Sequence, residues 1–189
     1  MKLRAMTGVG MMEAKGALTE SEGDFDKAVE ILRKKGAAKA AKKADRETRE
    51  GRTHCYMHSN GKIGVIVEVL CETDFVARNE AFVELCNDIA LHIAAMSPLY
   101  TNRADVPEEV VAKEKDILKE QLLAEGKPEE MLEKIMEGKI NKYYEEVVLL
   151  EQRFVKDDDM TIEGLVQAKI TSLGENIQIG RFARIAIGE

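Results

Sequence analysis

The chain has no tryptophan, only three prolines and three cysteines, and 5% aromatic residues among its 189 positions; it has no run of eighteen apolar residues. Each shortage excludes something. Without a long apolar run there is no candidate for a membrane-spanning helix, and Met1 is followed by Lys2-Leu3-Arg4 rather than by the apolar stretch of a secretory signal. Three cysteines, an odd number, do not build a disulfide framework, so a reducing cytoplasm is the expected setting. A chain of this size buries roughly 70% of the surface its unfolded form exposes, and it needs neither disulfide nor metal to hold a core. The formal charge of −7, from 35 acids against 28 bases, argues against the whole chain acting as a nucleic-acid coat.

What is present divides into a helical front and an α+β remainder. A short amphipathic start ends at Thr7-Gly8-Val9-Gly10, whose two glycines stop one helix and open the next. Met11, Ala14 and Leu18 then recur at helical spacing, and Asp24 is placed to cap a third helix carrying Phe25, Ala28, Val29 and Leu32. Gly36 is the expected stop. Residues 37–50 read as a basic, solvated connecting helix, rich in alanine and lysine. The expected division is therefore a helical module over 1–36, a connecting helix over 37–50 and an α+β core over 51–189.

From Gly51 the period changes from helical to two. Asn60-Gly61 marks a hairpin turn, followed by Val65, Val67, Val69 and Cys71 on one face. Phe82, Leu85, Cys86, Ile89, Ile93 and Met96 return to helical spacing. Residues 107–152 predict two or three antiparallel helices, broken near Gly126-Lys127-Pro128, with a further break possible at Gly138. A last helix to Ser172, stopped by Gly174, precedes a strand with Ile177, Ile179, Ile185 and Ile187. That strand is expected to complete a three-stranded antiparallel sheet with the hairpin.

Candidate chemistry is sparse. His54-Cys55-Tyr56-Met57-His58 holds metal-ligand types, yet in a strand the two histidines lie about 13 Å apart and cannot share an ion. No phosphate-binding loop, nucleophile elbow or zinc-protease motif occurs, so no catalytic residue, metal site or cofactor is expected, and an enzyme is not indicated. Residues 33–52 carry nine Lys or Arg against three acids, but no aromatic, Asn or Gln is interleaved. An RNA-associated helical adaptor using this segment is the alternative function. Thr73-Asp74-Phe75-Val76 follows the second strand directly. A helix capped by Thr73 would align Phe75 with Phe82 seven residues on and bury both; one starting at Asn79 would leave the Asp-Phe pair projecting as a binding anchor. Of Met11 and Met12, one reads as core and the other as a soft surface contact.

Four separated motifs carry a resemblance. Thr7-Gly8-Val9-Gly10-Met11-Met12 with Lys15, Ala37-Ala38-Lys39-Ala40, residues 71–79 from Cys71-Glu72-Thr73-Asp74-Phe75 to Arg78-Asn79, and Leu149-Leu150-Glu151-Gln152 occur in one order over nearly the whole chain. Together they resemble the bacterial elongation factor Ts family. The resemblance implies a guanine-nucleotide exchange factor for elongation factor Tu in translation elongation, bound to its GDP and nucleotide-free forms. It also implies an N-terminal three-helix module of the ubiquitin-associated type and an α+β core. Thr73, Asp74, Phe75 and Val76 would then disturb the partner's magnesium and phosphate site, while Arg4, Met11, Met12 and Lys15 would dock the module. Longer members hold two core units; with one, this chain is expected to be a homodimer, its sheets facing each other, without membrane or direct nucleic-acid partners.

Overall fold

Helix α1 (Lys2–Thr7), α2 (Met11–Glu20) and α3 (Phe25–Ala41) fold on a core small enough for alanine to fill. The computed structural model describes residues 2–7, 9–126 and 128–189, and their side chains except those of residues 4–6, 129 and 130. Leu3, Val9, Ala14, Ala17, Ala28 and Leu32 are buried together, with Phe25, Val29 and Ile31 at the rim. After α2, Glu22 and Gly23 take positive φ, and the Gly23 amide donates to the Leu18 carbonyl at 2.8 Å, which closes the helix end. Asp24 caps α3 as expected, its carboxylate accepting from the amides of Asp26 and Lys27, each at 3.1 Å. Two expectations are corrected. Met11 does not join the buried stripe, since both Met11 and Met12 are exposed. Nor does α3 stop at Gly36: it runs on to Ala41, and residues 42–46 turn rather than continue a connecting helix. A Cβ at Gly36 would lie 3.4 Å from Thr171 Oγ1, so this glycine permits a close approach and does not terminate the helix.

Strands β1 (Glu50–Met57) and β2 (Ile63–Cys71) form the expected antiparallel hairpin, paired from Glu50↔Cys71 to Met57↔Gly64. The loop is longer than a two-residue turn: His58 donates to the Ile63 carbonyl at 2.9 Å, and Gly61 takes φ 67° inside it. At Gly51, with φ 152°, a Cβ would lie 2.8 Å from Leu70 Cα and tighter still against the Val69 carbonyl, so only glycine fits. Val65, Val67, Val69 and Cys71 are buried as the alternation requires. Helix α4 (Asp74–Ala77) and α5 (Glu80–Met96) follow. Phe82, Leu85, Cys86, Ile89 and Ile93 bury their stripe, but Met96, expected to close it, is exposed.

The chain divides into two compact units, Met1–Ala95 with Glu163–Glu189 and, separately, Met96–Ile162. The second unit begins with a 3-10 turn (Arg103–Asp105) and packs α6 (Glu108–Ala124) against α7 (Glu129–Val147). Helix α7 passes through Gly138 without a break. Arg103 stacks 4.4 Å from the Tyr144 ring centre and clasps the Glu151 carboxylate with two nitrogens. The antiparallel pair β3 (Arg153–Phe154) and β4 (Asp157–Thr161) has no counterpart in the sequence-based expectation.

Returning to the first unit, α8 (Ile162–Leu173) ends at Gly174, whose φ is 84°, and β5 (Gln178–Ala186) pairs antiparallel with β2. The fold is therefore α+β, with a three-stranded antiparallel sheet in the order β1-β2-β5. On the face that buries Val65, Val67 and Val69, Arg184 of β5 donates to the Ala94 carbonyl of α5 at 3.3 Å and ties that helix to the sheet. The other face exposes Cys55, Met57, Ile66 and Ile185.

Candidate functional site: a capped turn that presents Phe75

Beyond Cys71 the chain leaves the sheet and is capped twice in quick succession. The Thr73 hydroxyl accepts from the Val76 amide at 3.4 Å and starts α4; the Asn79 side chain accepts from the Ala81 amide at 2.9 Å and starts α5. Both residues that could cap a helix do so, and the break between them removes Phe75 from the Phe82 stripe. Phe75 is 82% exposed and Phe82 fully buried. Asp74 is half-buried and pairs with Arg78 at 2.8 Å, one helical turn away. Val76 is half-buried, and Ala77 seats the turn against the protein.

The base of the turn is held from several directions. The Glu175 carboxylate accepts from the amides of Glu72 and Thr73, at 3.1 and 3.0 Å, and from the Thr73 hydroxyl at 2.6 Å. In return the Glu72 carboxylate accepts from the Asn176 amide at 2.6 Å and faces Arg46 at 3.4 Å. Asn176, 2% exposed, donates its side-chain amide to the carbonyls of Ala44 and Arg46. The Cys71 thiol donates to the Thr73 carbonyl at 3.2 Å; burial, then the nearby Glu175 charge, push its pKa up to about 11, so it stays a donor. Glu72 falls within one of the resembling motifs and Arg46 within the basic run, but no local pattern assigns either of them, or Glu175 or Asn176, to the support of this turn. The pairing of Glu72 with Asn176 spans 104 positions, and no local pattern marks it.

The second group of candidates sits at the start of α2. Met11, Met12 and Lys15 are exposed there. Arg4 belongs to α1, and its side chain lies outside the described residues. Among the described residues no three His, Cys, Asp or Glu gather to hold a metal ion, and no helix is long and apolar enough to cross a membrane.

Comparison with known proteins decides the family. A family model described as elongation factor TS matches residues 26–189. The elongation factor Ts of Fervidobacterium nodosum is 57% identical over 188 residues, covering 100% of this chain and 95% of the relative. That of Thermosipho melanesiensis is 56% identical, covering 100% and 96%. The protein of the same name from Moorella thermoacetica is 54% identical, covering 99% and 92%. The chain belongs to the elongation factor Ts family. A chain of this family is a guanine-nucleotide exchange factor for elongation factor Tu in translation elongation.

The basic segment does not favour the RNA-adaptor alternative. Lys34, Lys35, Lys39, Arg46 and Arg49 each face a carboxylate of the same chain, from Glu30, Glu20, Glu13, Glu72 and Glu47. Lys43 donates to the Ile170 carbonyl at 3.3 Å. Cations already occupied in this way leave a weak electrostatic footprint for phosphates.

Proposed function

We propose that this chain, a guanine-nucleotide exchange factor for elongation factor Tu, promotes GDP release by inserting the turn built on Thr73, Asp74, Phe75 and Val76 near the partner's magnesium and phosphate site. The observation that carries this reading is the exposure of Phe75 on a turn whose base is fixed. An 82% exposed phenylalanine above a hydrogen-bonded network anchored on buried Asn176 is a side chain kept for a partner. No bond is made or broken by the factor itself; it acts by binding and has no catalytic residue. Burying a Phe side chain contributes roughly 1.5 to 3 kcal/mol. Weakening nucleotide binding about 10⁴-fold takes about 5.5 kcal/mol. Phe75 therefore acts with a wider interface. By reciprocity, GDP on elongation factor Tu weakens the factor's grip by the same factor.

The wider interface is assigned to the helical module, proposed to be of the ubiquitin-associated type, with Arg4, Met11, Met12 and Lys15 as docking residues. It functions as a unit distinct from the core over 51–189. Methionine suits such a role because its flexible thioether adapts to the surface it meets. The homodimer is proposed to form through the sheet face exposing Met57, Ile66 and Ile185, an apolar patch that a second copy would cover. Cytoplasmic location, and independence of membrane and nucleic acid, complete the reading.

Stopped-flow GDP release tests it. Phe75→Ala is expected to slow release at unchanged fold; a wild-type rate would remove Phe75 from the mechanism. Sedimentation equilibrium at micromolar concentration tests the dimer, and a mass of 21.1 kDa throughout would rule it out.

A further inference from the structure

We infer that Glu175 is the positioning residue of exchange: its carboxylate fixes the direction in which the turn presents Phe75, although it touches no partner itself. The inference rests on the proposed insertion of Phe75. Helix α4 has four residues, a length that no isolated helix sustains. Its orientation must come from what holds its entry. The last ladder pair of β1 and β2 is Glu50↔Cys71, so the amides of Glu72 and Thr73 lie beyond the sheet pairing. Both donate to one oxygen of Glu175. The Thr73 hydroxyl gives its single proton to the other oxygen at 2.6 Å, which leaves its lone pairs to accept from the Val76 amide and cap α4. One carboxylate therefore sets two backbone amides and the rotor of the cap. Bonds to a charged acceptor are the stronger kind.

Glu175 is itself immobilised. Gly174, at φ 84°, turns the chain out of α8, and buried Asn176 is tied to Glu72, Ala44 and Arg46. The exchange of bonds is reciprocal: Glu175 holds the backbone of residues 72 and 73, while the Glu72 side chain holds the backbone of Asn176. The segment after α8 and the segment after β2 thus lock each other. The consequence falls on the next outward-pointing side chain, which is Phe75.

The experiment measures GDP release from elongation factor Tu at increasing factor concentration for Glu175→Ala, Glu175→Gln, Phe75→Ala and the Glu175→Ala/Phe75→Ala double variant. If the turn without its clamp holds the productive direction about a tenth of the time, Glu175→Ala lowers the maximal release rate about tenfold. The half-saturating concentration, set largely by the helical module, changes less than about threefold. Glu175→Gln keeps a carbonyl oxygen for the two amides and is expected to restore most of the rate. In the Phe75→Ala background the clamp aims only what remains of the turn, so Glu175→Ala slows release by a smaller factor than it does when Phe75 is present. A wild-type maximal rate for Glu175→Ala, or the same fold-loss in both backgrounds, would overturn the inference. If circular dichroism finds Glu175→Ala unfolded, Thr73→Val replaces it in the same cycle. A wild-type rate for that variant, or additivity with Phe75→Ala, overturns the inference equally. Slow Phe75→Ala with fast Glu175→Ala removes only the role of Glu175; fast Phe75→Ala removes the insertion reading beneath it.

Discussion

The helical module and the turn at residues 73–78 both hold apolar side chains out in water, on foundations of different stiffness. Met11 and Met12 stand on a three-helix unit whose buried core is half alanine, and alanine gives close approach but little apolar area. Phe75 stands on a turn set between fully buried Cys71 and Phe82 and braced at its base by side chains from two other segments, Glu175 and Arg46. A group that must enter a site in one direction needs the second kind of foundation. A group that holds on while its partner changes shape can work from the first, because flexible methionine side chains adapt to the surface they meet.

The sharpest test of that contrast sets two phenylalanines against each other. Phe82→Ala empties a fully buried site and is expected to cost roughly 3 to 5 kcal/mol, whereas Phe75→Ala should cost well under ~1 kcal/mol. Urea midpoints separate the two, and equal losses would mean that Phe75 is part of the core. In the module, Leu32→Ala should cost about 2 to 3 kcal/mol, near the low end for a leucine, because Leu32 borders an open surface groove lined by Lys35, Lys39 and Lys42, where water reaches part of the space it leaves. Native-state hydrogen exchange should show that loss in α2 and α3 while β2 keeps its protection; uniform loss would make module and sheet one cooperative unit.

The hairpin, α5 and β5 were legible from alternation and helical spacing, because one-sided burial leaves its period in the sequence. Elsewhere the local pattern misleads, leaves alternatives open or is silent. Gly36 looks like a helix stop, but its bareness serves the approach of Thr171. Phe75 and Phe82 share a helical spacing, yet the caps at Thr73 and Asn79 divide the helix between them. Strands β3 and β4 are short, and Asp157-Asp158-Asp159 gives no alternation to read. Glu175 looks like any surface acid after a glycine until the fold brings Thr73 to it.

Smaller effects refine the comparison. Gly51→Ala should cost about 1 to 3 kcal/mol through backbone strain and the clash with Val69, and the loss should register at the sheet edge in hydrogen exchange. The double change Met11→Ala/Met12→Ala should leave the urea midpoint within ~0.5 kcal/mol of wild type, as expected of exposed sites, while titration calorimetry shows weaker binding to elongation factor Tu. Smallest is the response to acid. Hydrogen bonds from the Lys27 backbone lower the Asp24 pKa, the Lys34 side chain lowers that of Glu30, and Arg181 lowers that of Glu68. A carboxylate with a depressed folded-state pKa adds stability above its unfolded value and loses it as pH falls through the folded one. Glu189, held low by the Arg184 side chain, is the fourth, so two of these acids lie on the module and two answer to arginines of β5. Mild acid should loosen α3 and the sheet alike and only slightly, and exchange rates across a pH series below 5 that single out either region would set the two apart.

The three cysteines make the protein a convenient object for single-site chemistry. Burial pushes the Cys71 thiol up to about 11 and the Cys86 thiol up to about 12, so at neutral pH both keep their protons and are shielded from reagents that need a thiolate. Cys55 alone lies in the open, on the outer surface of β1 directly across from Ile66. A maleimide dye should therefore mark the folded chain once and the unfolded chain three times. Counting labels by mass spectrometry would follow unfolding, and a pyrene at Cys55 would report, by excimer emission, whenever a second sheet comes to lie against the first.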